Sequence, residues 1–138
     1  ITKSTNAGVD TRSAQLAPQI GAFPIDLGGS LVAGEDLPAV CPCYIKGSDG
    51  KIYKADGTAA NEKAVVAGWT PKAFKSGKEV DLFGVGTLFH YSDGGLTKGA
   101  KLYLAATAGA LDSAATTGDA VGVAQAVNAY FIRVTRAI

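Results

Sequence analysis

From Leu31 onward the chain carries short apolar runs, each closed by Gly, Asp or Asn. That rhythm predicts an all-β domain of short strands and tight turns. Residues 40–46 read as a strand, Gly47-Ser48-Asp49-Gly50 as a turn whose glycines accept positive φ, and residues 51–54 as the hairpin partner. Asp56-Gly57 ends that strand, a helical turn is expected over residues 59–63, and residues 64–70 are strand again until Pro71 breaks it. Residues 80–83 and 87–91 are β-rich and joined by Gly84-Val85-Gly86, whose two glycines predict a bulge or bend. Residues 101–104, 120–127 and 130–136 complete the set, the last two joined by a tight turn at Asn128-Ala129.

Residues 1–30 sustain neither a helical nor a strand period, and they mix polar with small residues. This predicts an extended N-terminal arm, with Pro18 and Pro24 holding the residue before each of them in extended backbone. Its apolar residues are Leu16, Ile20, Phe23, Ile25 and Leu27. A solvated tail lacks such anchors, so the arm is expected to dock, on the chain's own body or on a neighbour. The division is an arm over 1–30 and a β-domain over 31–138.

The β-domain repeats itself in outline. Cys43-Tyr44-Ile45 corresponds to Leu102-Tyr103-Leu104, and Gly50-Lys51-Ile52-Tyr53 to Gly109-Ala110-Leu111-Asp112. Val66-Ala67-Gly68-Trp69 then matches Val121-Gly122-Val123-Ala124, and Val80-Asp81-Leu82-Phe83 matches Phe131-Ile132-Arg133-Val134. Two similar β units, about 31–91 and 92–138, are expected to pair into one closed or nearly closed sheet. The product is a small antiparallel β-barrel or sandwich.

At 138 residues and 14.0 kDa the chain has the size of one domain, or one domain with an arm. Thirteen Lys+Arg against twelve Asp+Glu leave a formal charge of +1, without the basic excess that neutralises nucleic-acid phosphates. Charged residues are 18% of the chain, below the roughly 25% of ordinary soluble domains, which predicts more protein-facing surface than a free monomer needs. No apolar run reaches the roughly 18 residues of a membrane span and the start is polar, so a soluble chain without a membrane partner is expected. Without any Met, the sequence implies a residue or longer segment before Ile1. Two cysteines are too few for a stapled scaffold or a four-thiolate zinc site, and they point to a reducing compartment.

The chemistry-bearing residues are few. His90, the single histidine, stands between aromatics without an evident orienting partner and reads as structural. Cys41 and Cys43 flank Pro42 and share one face of a strand; the nearest cation in sequence is Lys46, so they read as small buried hydrophobes rather than a redox pair. Asp49, Asp56, Asp81, Asp93, Asp112 and Asp119 mostly sit in turn contexts, and no calcium-loop spacing links them. Gly28-Gly29 and Gly94-Gly95 lack the Lys-Ser/Thr of a phosphate loop. No catalytic residue, metal site or cofactor is therefore expected. Trp69, Phe83, Phe89 and Tyr91 read as core or subunit-interface aromatics, with a carbohydrate groove as the other reading.

Leu96-Thr97-Lys98-Gly99-Ala100-Lys101-Leu102-Tyr103-Leu104, a small-residue loop, then Ala120-Val121-Gly122-Val123-Ala124 and a closing β segment resemble the small capsid decoration, or cement, proteins of tailed bacteriophages. The resemblance covers residues 31–138, and the arm before Leu31 departs from the most compact members. It implies a non-enzymatic viral structural protein, made in the host cytoplasm and placed on the outer surface of the virion capsid. It further implies that the chain binds the major capsid protein, commonly as a homotrimer, and cross-links capsid subunits to stabilise the shell. Leu16, Ile20, Phe23 and Ile25 are the expected capsid or subunit contacts. Two other classes stay open: a cell-surface or fibre-type β module recognising a carbohydrate or protein ligand through Trp69, and a small β-barrel hydrolase or isomerase using His90 or an Asp.

Overall fold

The computed structural model describes residues 1–9 and 31–137. Nine short strands occupy them: β1 (Gly8–Val9), β2 (Pro42–Ile45), β3 (Ile52–Lys54), β4 (Gly68–Trp69), β5 (Leu88–His90), β6 (Lys101–Leu104), β7 (Leu111–Asp112), β8 (Ala124–Ala126) and β9 (Phe131–Val134). All ladders are antiparallel; the order is β1-β5-β9-β8-β6-β7 in a six-stranded sheet and β3-β2-β4 in a three-stranded one. The molecule is thus nearly all β, and its one helical element among the described residues is a 3-10 turn at Glu62–Ala64.

Of the barrel or sandwich expected, closure into a barrel is not found: among the described residues the strands fall into two separate sheets, each an open order. Single bridges at Val32–Glu79, Ala33–Ile52, Leu37–Phe74 and Trp69–Phe83 stand where closure would need continuous ladders. The ladders stop early for local reasons. Val40 has φ 51, which turns the chain away from a ladder, and the strand expected from residue 40 begins at Pro42. Asn61 accepts a 3.0 Å bond from the Lys63 N–H and caps the 3-10 turn, so the strand expected over 64–70 keeps only Gly68–Trp69. The expected helical turn over 59–63 therefore lies slightly later, at Glu62–Ala64. Asp119 binds the N–H groups of Val121 and Gly122 at 3.2 and 2.9 Å, holding them in a loop and shortening the 120–127 strand to Ala124–Ala126.

Register recurs between the two halves of the chain. Tyr44 and Ile45 face Tyr53 and Ile52 across β2 and β3, as Tyr103 and Leu104 face Asp112 and Leu111 across β6 and β7. Cys43 faces Gly68, and Leu102 faces Ala124, so the Gly-centred strands align one residue away from the sequence match.

The main core lies between the sheets, where Trp69 of β4 stacks on Phe89 of β5 with ring centroids 6.2 Å apart. Leu102, Leu104, Leu111, Ile132 and Val134 complete its floor. A second cluster, built from Ala33, Leu37, Cys41, Cys43, Ile52, Val80 and Leu82, covers the other face of the small sheet. Pro42, Cys43 and Tyr44 in β2 are consequently buried in succession, without the alternation of a half-exposed strand.

Candidate functional site

The expected contact residues Leu16, Ile20, Phe23 and Ile25 lie outside the described residues. The chain on both sides of that segment is tied to the β-body. Val9 pairs with Phe89, and the Leu31 carbonyl accepts a 2.8 Å bond from Val80. Residues 3–9, placed in the arm by sequence, also pack on the body: the Ser4 N–H donates to Tyr91 at 2.6 Å, and the Lys3 ammonium donates to the Ala39 carbonyl at 2.8 Å. Burial pushes the Lys3 ammonium below its ordinary pKa, an effect partly opposed by the thiols of Cys41 and Cys43.

His90 is held at both ring nitrogens. Nδ1 lies 3.2 Å from the Asn6 carbonyl and Nε2 3.0 Å from the Ser92 carbonyl, with the Asp93 carboxylate at 4.0 Å and the Phe131 ring at 5.5 Å. A carbonyl oxygen stands at each ring nitrogen, and whichever nitrogen carries the N–H donates to its carbonyl, so His90 sits between the N-terminal segment and the turn after β5.

Cys41 and Cys43 are both buried and free, and each thiol donates to a nearby carbonyl at 3.3 Å. Burial pushes the Cys43 thiol well up, which is opposite to what a reactive thiolate needs. Trp69, Phe89 and Tyr91 are fully buried and Phe83 is half-buried, so this series lines the core and no sugar-stacking groove. Several aspartates do turn work: Asp49 accepts from the Lys51 N–H and the Tyr53 hydroxyl, Asp56 from Thr58, and Asp112 from Ser113. Among the described residues no three His, Cys, Asp or Glu side chains come together as a metal would require.

Asp119, read from the sequence as one more turn aspartate, has in addition a buried ion pair that the sequence did not signal. It is 1% exposed; Oδ2 accepts from the Leu104 N–H at 2.9 Å, while Oδ1 accepts from Val121, Gly122 and the Arg136 guanidinium at 3.2, 2.9 and 3.0 Å. Arg136 in turn sits between two clefts. One, of about 400 Å³, is lined by Ala60, Ala64, Val65 and Val66; the other, of about 330 Å³, by Lys101, Val121, Ala124 and Gln125. Val65 and Val121 are 48% and 66% exposed, so each cleft has an aliphatic side chain at its border. No signal in the sequence joins Asp119 to Arg136, because they lie 17 residues apart in different loops.

The chain matches no known protein family, no curated protein and no solved structure.

Proposed function

We propose that this chain is a non-enzymatic structural protein that binds the outside of a bacteriophage head and joins neighbouring major capsid subunits. The observation that carries the reading is the pairing inside the segment that bears the resemblance. Lys101–Leu104 pairs with Leu111–Asp112 and with Ala124–Ala126, which in turn pairs with Phe131–Val134. That is the strand, turn, small-residue loop and closing strand on which the likeness to decoration proteins rests. Aliphatic side chains left in water, Val65 and Val121 among them, and the scarcity of charge support a surface made to be covered.

In this reading the β-domain forms a homotrimer from two similar β units per chain. Leu16, Ile20, Phe23 and Ile25 anchor the arm on a neighbouring capsid or decoration subunit. Ordering such a segment costs entropy at binding, and many sites on one shell offset that cost through avidity. The test is co-sedimentation of the purified chain with expanded phage heads, with solution mass measured by light scattering. Saturable binding by the native chain, lost when Leu16, Ile20, Phe23 and Ile25 are all changed to Ser, is the expected result. Failure of the native chain to sediment with heads overturns the reading. Undiminished binding by the four-Ser variant overturns the role of the arm.

A further inference from the structure

We propose that the two clefts meeting at Arg136 form a docking site for a polypeptide segment presenting a carboxylate between aliphatic side chains. It borrows from the preceding reading only the choice of a polypeptide as ligand, and it is independent of the arm.

Arg136 is fixed from three sides. Its N–H donates to the Val123 carbonyl, its carbonyl accepts from the Trp69 indole at 3.4 Å, and its guanidinium donates to Asp119 at 3.0 Å. The two main-chain bonds fix where the residue sits and the bond to Asp119 restrains the guanidinium, so part of the side chain's rotamer entropy is given up before any ligand arrives. Asp119, its side chain fully buried and already accepting from four donors, is out of a ligand's reach. The guanidinium carries five N–H donors; among the described residues its single side-chain bond is the one to Asp119, and it remains 35% exposed. The surplus donors therefore select an acceptor, and a carboxylate matches the planar fork best. Lys101, lining the second cleft, adds a positive charge with the same preference.

The apolar walls supply the second half of the recognition. Val65 borders one cleft and Val121 the other, and both stand largely in water. In an extended segment residues two apart share a face, so an acid at one position carries aliphatic neighbours at i−2 and i+2 toward the same surface. Such a segment places its carboxylate on Arg136 and its flanking side chains in the two clefts.

The probe is the peptide acetyl-Val-Ala-Glu-Ala-Val-amide, titrated into the full chain while the Arg136 side-chain and Val65 and Val121 methyl NMR signals are followed. Exposed Arg133 serves as the internal reference. Saturable shifts at all three residues, with roughly tenfold weaker binding when Gln replaces Glu in the peptide, are expected for a charge-assisted contact. Val121→Ser and Lys101→Gln alter exposed positions that bear no core contact, and Val121→Ser weakens binding by roughly fivefold. Equal binding of the Gln peptide, or binding unaffected by Val121→Ser, overturns the proposal. Shifts of the same signals with protein concentration alone also overturn it, since a second copy then covers the clefts. Because the assay contains no phage heads, its failure leaves the capsid reading to its own test.

Discussion

Asp119 concentrates more hydrogen bonding on one carboxylate than any other described aspartate. Asp119→Ala leaves the N–H groups of Leu104, Val121 and Gly122 without their acceptor and unpairs Arg136. The expected loss is roughly 3 kcal/mol, read as a lower urea midpoint with an unchanged slope. Tyr91 makes an alkaline prediction. Burial pushes its hydroxyl up to about 12, while the Leu111 N–H donating to it at 3.2 Å pulls the other way. In the unfolded chain the same phenol ionises near pH 10, so its contribution is complete below that pH and is lost as pH rises to 12. Two units amount to roughly 2.7 kcal/mol. The raised Cys43 thiol acts in the same direction, with the loss beginning near pH 9. The depressed Lys3 ammonium acts oppositely: the folded state gives up that proton first, and stability rises across that window. Urea midpoints between pH 9 and 12, compared for the native chain and Tyr91→Phe, should fall less steeply in the variant. At this scale the sequence was legible where chemistry is local, as in the Asp49 and Asp56 turns. It was silent on Val40, a β-branched residue at φ 51, in the place that Gly99 takes before β6 at φ 81. Both donate their N–H to the residue after the paired Gly-centred strand segment, Val40 to Thr70 and Gly99 to Ala126, each at 2.8 Å. Nothing in the residue type signals a strained valine; only the surrounding core holds it there.

At the scale of elements, β1 is the least obvious strand and the one with the most testable attachment. Two residues pairing with β5 make a marginal ladder, and the added ties are the Ser4 N–H to Tyr91, Lys3 to Ala39 and the two-ended contact of His90. His90→Phe keeps an aromatic ring against Phe131 and removes both polar contacts. Amide exchange at Ser4, Asn6 and Ala7 should then accelerate by about tenfold, with exchange in β8 and β9 unchanged. Equal acceleration everywhere would show that His90 supports the whole sheet instead. The strands with strong apolar character were readable: residues 101–104 appear as expected, and 51–54, 87–91 and 130–136 hold β3, β5 and β9. Those carrying Ala and Gly were over-extended by sequence, since small residues accept strand and loop alike and a capped turn or a buried carboxylate decides between them. β1 escaped notice because a Gly-Val pair has no period to recognise.

For the molecule as a whole, all-β character was legible in the rhythm of Gly and Asp, whereas the sequence expectation of a closed sheet was not met. Whether two sheets join depends on inter-strand bonds between residues unmarked by type, and here pairs such as Ala33 and Ile52 make single bridges rather than ladders. The Arg136 clefts were illegible for the same reason: they are assembled from residues 60–66, 101, 118–125 and 135–136. Among the described residues, the core side chains of both clusters come from residues 31–137, and Ala7 packs against them from the N-terminal segment. If residues 10–30 act as the proposed capsid-binding arm, replacing them by a Gly/Ser linker of equal length keeps the urea midpoint within about 10% and abolishes sedimentation with phage heads. A midpoint that collapses would mean that the segment is part of the fold rather than its reach.

The position of β9 has a consequence for synthesis. It lies third in the six-strand order, between β5 and β8, although it is the last strand described along the chain. Until residues 131–134 are made, no strand joins β5 to β8. Folding of the large sheet waits for residues 131–134, and a chain interrupted before them presents two unjoined fragments. β9 is thus the joining element of the large sheet: without it β1-β5 and β8-β6-β7 share no ladder.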